Sequence, residues 1–288
     1  MYYLLNQYLD TKQIVMLGII ITFLITFFAL KHPFSFLPSD QGRDFALNGA
    51  LSKGKTRGVG LTFVVCFIIG TLLFMPLDKE YIVYAILLFC IMLSGYLDDA
   101  AETPWNEYKK GLIDFIISAV AVITFLNYNS TTISLGFTEL ELPKAVYAIL
   151  GIILFWVSIN VTNCTDGVDG LCASLCVIVM LSFGLIFKET LGTYVIANFL
   201  FAAVLLAYLY FNSSPSSMLM GDAGSRALGF YIAVIAIKSQ HPIIYILLAG
   251  VLIIDGDWAY KLFLKRFLKI STKNTRAIHD HVRKKCGW

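Results

Sequence analysis

Apolar residues along this chain come in long unbroken runs rather than in the two-residue or 3.6-residue alternation of a soluble fold. Nine runs of roughly 14 to 20 residues stand out, at about 14–30, 58–75, 81–97, 112–127, 145–161, 171–187, 193–211, 225–238 and 242–260. A bilayer-spanning helix needs about 20 apolar residues, so the pattern predicts an all-α, polytopic integral membrane protein with about nine transmembrane helices in a single domain over residues 1–288. The polar stretches between them differ in kind. Those after the second, fourth, sixth and eighth runs are short or plain, while those after the odd-numbered runs are dense in Asp, Asn, Gly, Lys and Arg.

Composition agrees. The chain is 58% hydrophobic and 14% charged, where a soluble domain carries about 25% charged residues. The six cysteines form no CxxC pair and sit mostly in apolar runs, where Cys acts as a small hydrophobe, so neither a disulfide framework nor a zinc site is expected. The first apolar run lacks a basic leader and a small-residue cleavage site, which reads as a mature transmembrane helix. Positive charge orients the chain. Of 22 Lys and Arg residues, five (Lys12, Lys79, Lys144, Lys188 and Lys238) fall on one side and the other 17 on the opposite side or in the basic tail from Lys261. The odd-numbered loops are therefore expected in the cytoplasm, with the N-terminus outside.

Five polar clusters fall on that same expected face, although Lys and Arg assigned the face. Leu51–Gly60 mixes glycines with Lys53, Lys55 and Arg57, around Thr56, and could cradle a phosphate or simply be a basic loop. Asp98 and Asp99 end the third run; adjacent carboxylates at a membrane boundary need solvent, a partner or a divalent cation. Asn163, Asp166, Gly167 and Asp169 lie in an Asn- and Gly-rich stretch between the fifth and sixth runs, where an Asp166 helix cap would turn both aspartates to one side. Asp222 stands in Met220–Ser225, suited to metal ligation or to capping a helix. His279 and His281 flank Asp280 ahead of three cations, as surface residues or as diphosphate contacts.

In this order, Leu97-Asp98-Asp99, the NxTDGxDG of 163–170, the MGDAGS of 220–225 and the HxH of 279–281 resemble the polyprenyl-phosphate N-acetylhexosamine-1-phosphate transferases over about residues 50–288. Gly250–Asp255, and the histidines followed closely by Gly287-Trp288, are similar to the muramoyl-pentapeptide branch of that superfamily. That branch usually places an aromatic where Leu219 stands and a lysine where Glu102 stands, with Lys109 or Lys110 as candidates to take the lysine's place; its loop after the first span usually holds a Thr-Pro pair, where Lys55-Thr56-Arg57 stands here. The resemblance also implies a tenth helix after Trp288.

The resemblance implies a Mg²⁺-dependent enzyme of peptidoglycan biosynthesis in the bacterial cytoplasmic membrane, with its site on the cytoplasmic face. It would move phospho-N-acetylmuramoyl-pentapeptide from a UDP conjugate to undecaprenyl phosphate, releasing UMP. Asp98, Asp99 and Asp222 would be catalytic, with Asp222 the metal ligand. Lys53, Thr56, Asn163, Asp166, Gly167, Asp169, His279 and His281 would bind substrate. The implied partners are a UDP-linked amino sugar, the polyprenyl phosphate and the lipid bilayer, with a homodimer left open and no nucleic acid. Two alternatives stay open: an N-acetylglucosamine-1-phosphate transferase of surface polysaccharide synthesis, and an ion-coupled transporter. A transporter places its site near the bilayer midplane and tends to show related halves, whereas these carboxylates cluster at run ends and no repeat is visible.

Overall fold

The computed structural model describes residues 1–42, 52–136, 138–256 and 279. They form an all-helical bundle with one small hairpin. A short α1 (Tyr2–Leu5) precedes α2 (Thr11–Lys31), which is followed by α3 (Gly60–Phe74), α4 (Lys79–Asp99) and α5 (Glu107–Tyr128). After β1 (Thr132–Ser134) and β2 (Glu139–Glu141) come α6 (Lys144–Thr165), α7 (Leu171–Ile186), the single turn α8 (Lys188–Leu191) and α9 (Tyr194–Asn212). α10 (Gly221–Lys238), α11 (Ile244–Leu248) and α12 (Gly250–Asp255) complete the described helices.

Five of these, α2, α4, α5, α6 and α9, are long and apolar enough to cross a membrane; α3 and α7 are shorter apolar helices. Helix starts follow local chemistry. Asp10 and Gln13 close a capping box on α2, Asp78 accepts from the Tyr81 N–H at the start of α4, and Asn106 accepts from the Tyr108 N–H at the start of α5. Leu, Ile, Phe and Val side chains on α2, α5 and α6 face outward, as expected of surface solvated by lipid.

Three expectations change. The eighth run begins four residues early, at Gly221, so Asp222 lies inside the first turn of α10 rather than ahead of it. The ninth run is broken into α11 and α12 at Ala249, just before Gly250, a residue that weakens a helix interior by about 1 kcal/mol. The stretch between α5 and α6 is not plain: Ile133 faces Leu140 in the antiparallel β1–β2 hairpin.

α10 is the axis of the bundle. Every residue from Gly221 to Ile237 is buried, among α3, α4, α5, α6 and α7. Interfaces between membrane helices rely on small residues that let backbones meet, and here glycine does this repeatedly. A side chain at Gly60 would strike the backbone of Gly224, one at Gly95 would strike Asp222, and one at Gly229 would strike the Ser158–Ile159 backbone of α6.

The far end of α10 is pinned by a buried polar cluster. Lys238 Nζ donates to Glu80 Oε2 (2.8 Å) and Asn129 Oδ1 (2.7 Å), and Asn129 Nδ2 donates to Glu80 Oε1 (2.7 Å). α4, α5 and α10 are tied together there, while their other ends form the site. Breaking one partner of a buried pair leaves a stranded charge, at a cost of about 3–5 kcal/mol. Lys238→Met is therefore expected to lower the thermal unfolding midpoint in detergent, and Glu80→Gln combined with Lys238→Met to recover part of the loss. Equal midpoints for the single variant and the wild type would refute this role.

Candidate active site

Asp99 organises the site. It is the last residue of α4, and its side chain is wholly buried. Its Oδ1 accepts from the Asp222 N–H (3.1 Å) and its Oδ2 from the Ala223 N–H (3.0 Å). These are first-turn donors of α10 that the helix itself cannot satisfy, and a carboxylate at that positive helix end is favoured. Gly221 precedes them with a φ of 68°, and the space its Cβ would need is filled by the Asp99 carboxylate. One carboxylate thus caps a helix that belongs to another part of the chain.

Arg57 binds the other edge of Asp99. Its Nε donates to Asp99 Oδ1 (2.9 Å), its Nη1 to Asp40 Oδ1 (3.0 Å), and its Nη2 stands 3.8 Å from Asp222 Oδ1. Burial works against the guanidinium charge, but Asp99, Asp222 and Asp40 outweigh it and hold the Arg57 pKa above its ordinary value. For Asp40, burial pushes the carboxyl up, yet the Ser52 hydroxyl, Arg57 and the Gly42 N–H together hold it below its ordinary 3.8.

Asp98 and Asp222 share one ammonium. Lys110 Nζ lies 2.5 Å from Asp98 Oδ2 and 3.1 Å from Asp222 Oδ2. Asp98 Oδ1 also accepts from the Trp105 N–H (2.6 Å), which folds the 100–106 loop over the end of α4. Of the two candidate lysines, Lys110 is the one at the site; Lys109 sits over the Trp105 ring, 3.2 Å from its centroid. Glu102 is exposed. On the remaining side of Asp222, Asn163 Nδ2 donates to Asp222 Oδ1 (3.2 Å) and to Ser225 Oγ (2.9 Å).

The other expected residues are placed differently. α6 runs through Asn163 to Thr165, so Asp166 closes α6 and does not open α7, whose N-cap is Gly170. Asp169 Oδ2 accepts from the Ser216 N–H (3.0 Å) and so holds the 213–219 loop. Thr56 lends its backbone, its carbonyl accepting from the Leu219 N–H (2.8 Å), and this joins the loop before α3 to the approach to α10. Lys53 is exposed on that loop, while Lys55 Nζ donates to Ser216 Oγ (2.9 Å). His279 is oriented by Asp255: its N–H and ring Nδ1 meet the two carboxylate oxygens at 3.0 and 2.8 Å. Its Nε2 edge lies where a side chain on Gly167 would stand. His281 lies outside the described residues.

Sequence reasoning did not single out Asp40 or Asp255 as site residues, and it left Arg57 inside a generic basic loop. Asp255 at the end of an apolar run was the one visible signal among them.

Two outcomes follow from this geometry. Asp40 has a depressed folded pKa, so its contribution to stability is complete above its unfolded value and is lost as pH falls through the lower folded value. The stability gap between wild type and Asp40→Asn should therefore narrow as thermal unfolding is followed from about pH 6 down to about pH 3; a constant gap would refute it. Gly167→Ala should displace the His279 imidazole and lower turnover about tenfold or more, since small misplacements of a site group carry penalties of that order. Unchanged turnover would show that His279 is not needed where it sits.

Comparison with known proteins identifies the family of this chain. Residues 81–240 match the family model described as Glycosyl transferase family 4. The chain is 34% identical to the phospho-N-acetylmuramoyl-pentapeptide-transferase of Treponema pallidum (strain Nichols), over 92% of this chain and 80% of that protein. It is 32% identical to the Oceanobacillus iheyensis protein of the same name, over 95% and 90%, and 30% identical to that of Clostridium botulinum (strain Eklund 17B / Type B), over 86% and 80%. With Asp98, Asp99, Lys110, Asn163 and Asp222 all inside or beside matched segments, the chain belongs to glycosyl transferase family 4, in the superfamily that includes the phospho-N-acetylmuramoyl-pentapeptide-transferases.

Proposed function

We propose that this protein transfers phospho-N-acetylmuramoyl-pentapeptide from its UDP conjugate to undecaprenyl phosphate, releasing UMP and forming the first lipid-linked intermediate of peptidoglycan. The names of its relatives support the reaction. The observation that carries it to particular residues is the meeting of Asp98, Asp99, Lys110, Asn163, Asp222 and Arg57, from four helices and a loop, at one end of an apolar bundle. The distribution of Lys and Arg supports a cytoplasmic setting for that end. A membrane-edge site suits a reaction between a water-soluble nucleotide and a lipid.

In the reaction an oxygen of the lipid phosphate attacks the sugar-bearing phosphorus of the diphosphate, and the bond to UMP breaks. Such transfers depend on charge neutralisation and in-line positioning more than on covalent help from the protein. Lys110 and Arg57 supply positive charge beside Asp98 and Asp222. Asp98, partly held by the Trp105 N–H, receives or deprotonates the lipid phosphate. Asn163 keeps Asp222 turned toward the site, and Asp99 fixes the end of α10 that presents it. Asp166, Gly167 and His279 would bind the nucleotide-sugar.

Mg²⁺ fits these residues. Among the described residues, four carboxylates (Asp40, Asp98, Asp99 and Asp222) meet two cations (Arg57 and Lys110), an excess of two negative charges. Among the described residues no three His, Cys, Asp or Glu form a metal cage. Mg²⁺ seldom uses one, binding through one or two carboxylates together with substrate phosphates and water. Asp222 would hold it, and when bound it would neutralise the diphosphate.

The test is transfer of radiolabel into lipid in detergent, with UDP-MurNAc-pentapeptide or UDP-GlcNAc as donor. Label should move from the muramoyl donor, fall to background without Mg²⁺, and drop about 10³-fold in Asp222→Asn, the scale of losing one main electrostatic group. Label moving only from UDP-GlcNAc would give the chain the other sugar. No transfer from either donor by folded protein would overturn the proposal.

A further inference from the structure

One helical turn further into the bundle, α5 and α10 carry a second pair of charges. Asp114 follows Lys110 by four residues, and Arg226 follows Asp222 by four, so each pair shares a helix face. Lys110 reaches across to Asp222, and Arg226 Nη2 reaches back to Asp114 (2.5 Å). The signs therefore alternate: positive then negative down α5, negative then positive down α10. Asp114 and Arg226 are both 2% exposed, and all four groups lie within electrostatic reach of one another.

Stability does not account for this inner pair. Nε and Nη1 of Arg226 are buried without a hydrogen-bond partner among the described residues. A buried pair so incompletely satisfied is often no better than two apolar side chains of similar size.

We infer that Asp114 and Arg226 are positioning residues, each keeping the other occupied so that Lys110 stays on Asp98 and Asp222. Without Arg226, Asp114 is a buried, uncompensated carboxylate one turn from the Lys110 ammonium, and attraction at low dielectric draws the ammonium inward, away from the site. Without Asp114, the Arg226 guanidinium is left one turn from Asp222 and pairs with that carboxylate instead. Either loss disturbs the outer groups; loss of both leaves them alone. The functional consequence rests on the proposed transfer reaction, in which Lys110 and Asp222 act on phosphate.

Two measurements test this. In the transfer assay, Arg226→Met and Asp114→Leu are each expected to lower kcat per folded molecule about 10- to 100-fold, with KM for the nucleotide-sugar changed less, and the double variant to return within about threefold of wild type; contacting groups couple in this way. Single variants that lower only the unfolding midpoint, or a folded double variant no better than the singles, would overturn the inference. The second measurement needs no substrate. In the Arg226→Met background, Lys110→Met and Asp114→Leu should become strongly non-additive in the unfolding midpoint, because Lys110 then pairs with Asp114. With Arg226 present their coupling should be small. Equal coupling in both backgrounds would overturn the inference even if the chain proved inactive as a transferase, a result that would instead sink the proposed function.

Discussion

The capping of α10 by Asp99 is the contact on which the site depends. A fully buried helix cannot leave its first N–H groups to water, and none of its own side chains caps it. Asp99 meets that need from α4, and in doing so fixes where α10 begins, which way Asp222 points and how close α4 comes. Arg57 then balances the charge that capping brings inside. The acids that look alike as Asp98-Asp99 in the sequence divide the work: one is spent on the backbone of α10, and the other shares Lys110 with Asp222.

Much of this was legible in the chain. The apolar runs gave the helices, because a bilayer-spanning segment announces itself by composition alone. Asp98, Asn163 and Asp222 stood out as polar groups wedged between such runs, and the structure brings them together. What stayed hidden depends on three-dimensional pairing. Nothing local separates Lys109 from Lys110, yet one lies on an indole and the other between two carboxylates. Asp114 and Arg226 each read as an isolated charge within or at the edge of an apolar run, and only the packing of α5 on α10 joins them. Which helix Asp166 caps was also hidden, because helix ends are set by a few hydrogen bonds: α6 continues through Thr165 so that Asp166 closes it, and the left-handed Gly170 opens α7.

The two ends of the bundle use buried charge differently. Around Glu80, Lys238 and Asn129 every charge has a close partner and the cluster acts as a clasp. At the other end, carboxylates outnumber cations among the described residues, and Lys110 is held between two acids. Such an arrangement is unfavourable by itself and becomes balanced when positive charge arrives. The clasp holds the same three helices against that repulsion.

The glycine contacts along α10 have a mechanical consequence. At Gly60, Gly95 and Gly229 neighbouring backbone touches helix backbone directly, with no side chain to act as a bearing. Sliding or rolling α10 by even a fraction of a turn would bring Cβ atoms and carbonyls into collision on several sides at once, and close-packed interiors resist such shifts. The central helix is thus a fixed post. Rocking of half the bundle against the other half, the motion of an alternating-access carrier, has no easy axis here. Whatever moves during a reaction cycle must hang from the post rather than carry it.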